Sequence, residues 1–339
     1  MQSGRSQHAR AAQVNSRNLP EPVSRGRKTR YDSGDMTVPS PPLVFDRRIV
    51  RCHRERAARH FAEHDFLFRE AAERLAERLD DLKPQFPRVL DLGARTGLMA
   101  PLLAKRPGTE LIVQCDLSAR MMRAARARPC AAGSLAHRSV CVADEEFLPF
   151  APGSFDLVVS CLSLHWTNDL PGALVQVLRA LKPDGLFLCA ILGGDTLAEL
   201  RRALIEAEVA ESGGAGPRVS PFADVRDAGA LLQRAGFALP VVDADTLTVS
   251  YENALDLMRD LRGMGETNAI AERRKDFSRR STLLRAAAIY EDLYAEDGRM
   301  PATFQILNLT AWAPHASQPK PLRPGSAAHS LAQAVGKDG

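Results

Sequence analysis

The chain has 339 residues, 45% of them apolar and 25% charged, with a formal net charge of +4. That length supports one large core or two ordinary ones, and the composition excludes a fibre, a disulfide-held miniprotein and a wholly disordered polymer. Residues 1–35 carry seven basic side chains against three acidic ones, so the rest of the chain is balanced and gives no electrostatic reason to expect a nucleic-acid partner.

In chain order, residues 1–44 read as a disordered basic arm, because Val14, Leu19 and Val23 are its few large apolar residues and do not recur with a helical period. A misassigned start, with Met36 as the first residue, is the other plain reading. From Asp65, the spacing of Phe68, Ala72, Leu75, Leu79 and Leu82 predicts an amphipathic helix that Pro84 and Pro87 end. Arg88 to Leu92 reads as a first strand, Gly93 to Gly97 as a glycine turn, and Leu98 to Lys105 as a helix. Strands at 110–115, 138–143, 155–160 and 186–192 follow, with helices at 118–128 and 171–181 and a turn at Lys182 to Gly185. This alternation argues a parallel sheet covered on both faces.

After Gly193 and Gly194 the pattern changes. Helices are expected at 196–211 and 224–236, a strand at 241–251, helices at 253–262 and 271–296, and a last strand at 303–312, before a Pro-, Ser- and Gly-rich tail over 315–339. The six cysteines show no C-x-x-C pair, which fits a reducing, cytoplasmic compartment. No run approaches the roughly 20 apolar residues of a membrane span, so the protein is expected to be soluble, or at most peripheral at the inner membrane of a bacterium.

Acids and glycines gather where the first three strands end. Gly93 and Gly97 permit a sharp turn and a close approach to a ligand, Asp116 follows Gly97 by nineteen residues, the distance at which an acid reaches ribose hydroxyls, and Asp144 closes the third strand. Each piece alone is more often a connector or a helix cap; together they describe a pocket for an adenosyl group.

The run Val89 to Gly97, the acid Asp116, the segment Ala143 to Phe150 and the turn Leu181 to Gly185 resemble the class I S-adenosylmethionine-dependent methyltransferases. The resemblance covers about residues 45–314. It implies a Rossmann-like α/β fold with a seven-stranded, mostly parallel sheet, helices on both faces and a helical substrate or lid region built from 195–235 and 252–300. It further implies S-adenosylmethionine as cofactor, with Asp91 and Gly93 at its methionine moiety, Gly97 in the same loop, Asp116 at the ribose, Asp144 with Glu145 at the adenine, and Ser160 at the end of the fourth strand. Arg95 stands where that family usually has a glycine, and is expected to turn its side chain out of the pocket, at some cost to cofactor affinity.

The segments Ser163 to Pro171, Gly193 to Thr196, Ser220 to Phe222, Gly263 to Asn268 and Pro301 to Gln305 are similar to a family of mitochondrial complex I assembly factors, methyltransferase-like proteins that hydroxylate a protein arginine. That similarity implies an enzyme that modifies an arginine of a respiratory NADH dehydrogenase subunit. The alternatives are a carboxyl methyltransferase similar to the biotin-pathway malonyl-carrier enzyme, and a non-catalytic assembly chaperone.

His165 is the best placed base, and Asp169 or Asp195 would orient it or pair with a substrate guanidinium. The plain readings are a packed histidine beside Trp166 and, for Asp195, a helix cap. His53, His60 and His64 lie on the leading helical segment, His60 and His64 at a spacing that shares one face, and a solvated face outweighs a metal role for them; no metal site is expected. In 253–268, Leu255, Met258 and Leu261 form a core stripe, while Gly263 and Gly265 break the helix and leave Glu266 and Asn268 on a turn, so this hinged element is expected to act as a lid over the strand ends.

Overall fold

A computed structural model describes residues 43–82, 84–129 and 136–319; the expected arm before residue 43 and most of the tail lie outside them. The chain order is α1 (Arg47–Ala57), α2 (Phe66–Asp80), β1 (Arg88–Leu92), α3 (Met99–Leu103), β2 (Leu111–Asp116), α4 (Ala119–Ala127), β3 (His137–Val142), β4 (Phe155–Cys161), α5 (Leu170–Ala180), β5 (Leu181–Leu192), α6 (Ala198–Ser212), α7 (Val225–Ala235), β6 (Ala238–Tyr251), α8 (Ala254–Met264), α9 (Arg280–Tyr294) and β7 (Met300–Trp312). The seven strands form one sheet in the order β3-β2-β1-β4-β5-β7-β6. Six run in one direction, and β7 runs antiparallel to them between β5 and β6.

The central strands are buried on both faces. Val89, Ile112, Leu157, Leu188 and Phe304 join one apolar layer with α2, α3, α6, α8 and α9; alternate residues, among them Leu90, Val158, Phe187 and Leu309, join the other with α5 and α7. This period-two division of a parallel sheet is why its strands read as nearly continuous apolar runs. Local signals set the helix ends: Ser118 Oγ accepts from Met121 N at 3.1 Å, Asp224 caps α7 through Arg226 N at 2.8 Å, and Gly236 ends α7 at φ +93°.

Four boundaries depart from the sequence reading. The turn at Lys182 to Gly185 lies inside β5, where the register slips between Phe155 and Leu157 and Asp184 takes φ +61°. Gly263 continues α8, because its bare Cα admits the His64 ring, to which an added Cβ would come within 2.1 Å; only Gly265, at φ +80°, ends the helix. Residues 271–279 are not helical, and α9 starts at Arg280. His60 and His64 flank a separate turn of 3-10 helix, Phe61–Glu63, beyond the end of α1.

The sheet order reverses between β1 and β4, so a crevice opens at their carboxyl ends. A segment from Phe45 spans this end of the sheet: it bridges Ile270, its N–H donates to Asn168 Oδ1 at 2.7 Å, and its ring meets Trp166 edge-on at 5.1 Å. Among the described residues no helix is long and apolar enough to cross a membrane.

Candidate functional site

The glycine loop follows β1 directly. Gly93 takes φ +72°, and a Cβ there would lie 2.0 Å from Ser163 Oγ, so only glycine fits. Gly97 takes φ +77° against Gln114 and Ala125. The amides of Gly93 and Ala94 both donate to Cys115 O, at 2.8 and 2.9 Å, which ties the loop to the end of β2. Asp91, fully buried, accepts from Gln114 Nε2 at 3.1 Å through Oδ2, while its Oδ1 has no partner. Burial pushes its carboxyl up to about 7, partly offset by the Gln114 amide.

Asp116 and Glu145 come together one strand away, and an arginine from α1 binds both. Arg54, fully buried, donates through Nη1 to Asp116 Oδ2 at 3.2 Å and to Glu145 Oε1, and through Nη2 to Ser163 Oγ at 2.9 Å. Two turns earlier on the same helix face, Arg47 binds Asp144 and Glu145. Burial would raise the Glu145 carboxyl, but Arg54 and Arg47 outweigh it and hold it well below the usual range. Asp116 Oδ1 accepts from Ser118 N at 2.8 Å, and its Oδ2 also accepts from Arg95 N at 3.2 Å.

Arg95 corrects an expectation. It takes the turn at φ +51°, yet its side chain runs inward and is only 2% exposed. Its guanidinium lies over the Phe68 ring at 5.2 Å, donates to Leu162 O at 3.3 Å and pairs with Glu266. The inward course has a plain cause: the turn after α8 brings a buried carboxylate to meet it. Glu266, on the turn where it was expected, is 5% exposed at its side chain and also accepts from Trp166 Nε1 at 2.7 Å, with His165 Nε2 at 3.1 Å. Burial would raise Glu266, but Arg95, His165 and Trp166 hold it at about 2.

An ionised Glu266 therefore calls for a proton on His165 Nε2, which leaves Nδ1 as the free basic atom; Nδ1 is buried without a partner. Burial lowers the His165 pKa despite Glu266, so the imidazole is neutral at neutral pH. Beyond this cluster lies a cavity of about 620 Å³. Leu192, Leu197, Leu200, Phe222, Met258 and Phe304 give it apolar walls, Trp166 and Glu266 reach it from the cluster, and Arg56, Arg218, Arg259 and Arg262 also line it. Phe222 meets His165 edge-on at 5.8 Å.

The other expected residues stand apart. Asp169 is exposed and caps α5 through Gly172 N at 2.8 Å. Asp195 is exposed, is not the cap of α6, and accepts from Gln305 Nε2 at 2.8 Å. Ser160 is fully buried inside β4, in register with Cys189. The three histidines of the leading segment take separate partners: His53 meets Thr267, His60 meets Glu63 and His64 meets Asp260. Among the described residues no group of three or more His, Cys, Asp or Glu side chains is placed to hold a metal ion.

S-adenosylmethionine, the cofactor implied by the sequence, is matched chemically by the glycine cradle, the Asp116 and Glu145 carboxylates and the unpaired Asp91 Oδ1. Asp116, the acid expected at the ribose, is held here by Arg54. Sequence reasoning missed Arg54, Arg47 and Ser163. A signal for the arginines exists: Arg47, Val50, Arg54 and Ala57 fall on one helical stripe, so two cations occupy an otherwise apolar face.

Comparison with known proteins gives the family of the fold. Residues 90–189 match the methyltransferase domain family. The chain is 44% identical, over 85% of its own length and 88% of the other, to the mitochondrial arginine-hydroxylase NDUFAF5 of Danio rerio. It is 38% identical, over 83% of its length and 94% of the other, to the malonyl-[acyl-carrier protein] O-methyltransferase of Laribacter hongkongensis. Among solved structures, the YcgJ protein of Bacillus subtilis superposes with a TM-score of 0.51 at 16% identity, covering 73% of this chain and 99% of that one, a likeness of fold.

Proposed function

This chain belongs to the methyltransferase-fold family of the arginine-hydroxylase NDUFAF5, and on that premise we propose that it is an S-adenosylmethionine-dependent enzyme that modifies an arginine in a subunit of respiratory complex I and so aids assembly of that complex. Glu266 carries the reading. It is a buried carboxylate at the junction of the glycine loop and the large cavity, and it already holds one guanidinium, that of Arg95. A substrate guanidinium arriving from the cavity would meet an acceptor suited to that planar cation.

His165 is the base of the site. With Nε2 committed to Glu266, its neutral Nδ1 takes a proton from the substrate nitrogen. Trp166 Nε1 donates to the same Glu266 oxygen that His165 meets, at 2.7 Å. When bound, S-adenosylmethionine supplies a methyl group on a positively charged sulfur. Asp91, Gly93 and Gly97 would hold its methionine end, Asp116 its ribose, and Asp144 with Glu145 its adenine. We place the enzyme where the peripheral arm of the complex is built, in the bacterial cytoplasm or at the face of the inner membrane.

A second reading, carboxyl methylation of a malonyl carrier, is favoured by the arginines of the cavity, which suit an anionic substrate. Mass spectrometry of complex I subunits from a deletion strain separates the readings. An arginine lighter by one oxygen is the signature of hydroxylation, and one lighter by a methylene is that of methylation. Unaltered arginines throughout would refute the reading, and rescue of a biotin auxotroph would then support the carrier.

A further inference from the structure

Arg95 has more hydrogen-bonding capacity than its neighbours satisfy. Its Nη2 is engaged by Leu162 O and Glu266, but Nε and Nη1 are buried and have no partner. Leaving buried donors unmade is costly, so such a group is expected to be completed by a ligand. Arg54 is a poorer candidate for that ligand, since both its Nη atoms are already held by Asp116, Glu145 and Ser163.

At the start of the same loop Asp91 shows the complementary defect, a buried Oδ1 with no donor. Asp91 lies in register with Val159 of β4, and Arg95 Nη2 reaches Leu162 O just past the end of that strand, so the two residues lie beside the end of β4. A ligand that satisfies a carboxylate and a guanidinium there carries an ammonium and a carboxylate close together, as the end of an α-amino acid does.

We propose that Arg95, in place of the glycine usual in this loop, binds the α-carboxylate of the cofactor's methionine moiety, opposite an Asp91 that accepts from its ammonium. This rests on the reading that the cleft holds S-adenosylmethionine, and it reverses the expectation that Arg95 weakens affinity. The residue acts as a specificity determinant: it makes the site select ligands that keep the amino-acid end.

Titration calorimetry of the full chain with two ligands tests the assignment. S-adenosylhomocysteine carries the amino-acid end; 5′-methylthioadenosine keeps the nucleoside and the sulfur but lacks that end. Arg95→Gly, which places a residue tolerant of positive φ at this turn, is expected to weaken S-adenosylhomocysteine about tenfold or more while methylthioadenosine stays within about twofold. Glu266→Gln, which removes the partner of Arg95 but keeps the guanidinium, is expected to retain the preference for S-adenosylhomocysteine. Equal losses for both ligands in Arg95→Gly, or no loss for either, would overturn the proposal and leave Arg95 as a strut of the loop. Failure of both ligands to bind the unaltered chain would overturn the cofactor reading itself, and the two failures are told apart by the methylthioadenosine arm.

Discussion

Asp91 shows what a single buried carboxyl contributes to the balance between stability and binding. Its pKa rises from 3.8 to about 7 on folding because burial penalises the charged form. A carboxyl with a raised folded pKa stabilises the fold fully below its unfolded pKa and loses that contribution as pH climbs to about 7. Asp91→Asn is therefore expected to raise the melting temperature above pH 7, by the equivalent of up to about 4 kcal/mol, and to leave it unchanged near pH 4; thermal melts across that range measure it. Asp116→Ala should weaken S-adenosylhomocysteine more than about tenfold in calorimetry, since it removes the acceptor proposed for the ribose hydroxyls. These acids were legible in the sequence because each ends a strand. Arg54 was not read, although it shares an otherwise apolar helical stripe with Val50 and Ala57; what it binds is set by acids on other elements. Arg95 was noticed, but its direction depended on Glu266, 171 residues away, which no local pattern supplies.

At the scale of elements, α1 is the piece whose position most constrains the site. Its Arg54 neutralises two buried acids, and breaking a buried pair by removing one partner costs about 3–5 kcal/mol because the remaining charge stays uncompensated. Arg54→Met should show that loss in urea unfolding at pH 7, even though methionine fills much of the space. Ser118, Asp224 and Gly236, the expected bounds of their helices, cap α4 and α7, because capping is a local code. The course of α8 through Gly263 was not: helical propensity marks glycine as a break, whereas the His64 ring occupies the space that a side chain would need. The turn within β5 was likewise read as a boundary, although pairing continues on both sides of it.

On the scale of the whole molecule, the alternation of strands and helices foretold a parallel sheet, and the glycine loop and its acids meet at the carboxyl ends of those strands, where the candidate site lies. The resemblance implied seven strands, but the insertion of β7 between β5 and β6 was not read, since pairing between segments so far apart in sequence leaves no periodic trace. The formal charge of +4 belongs to residues 1–35, whereas every acid and arginine of the site lies between Arg47 and Glu266. A chain that starts at Met36 is thus expected to keep its melting temperature and to bind S-adenosylhomocysteine within about twofold of the full chain; calorimetry and thermal melts check both. Glu266 has a thermodynamic consequence as well. One of its oxygens serves the glycine loop through Arg95 and the other serves His165 and Trp166, so a guest that draws Arg95 away alters the charge that the cavity presents to a second guest. By linkage, whatever the nucleotide side does to substrate affinity the substrate must do to nucleotide affinity, by the same factor, and a single shared carboxylate makes the two compartments one cooperative unit.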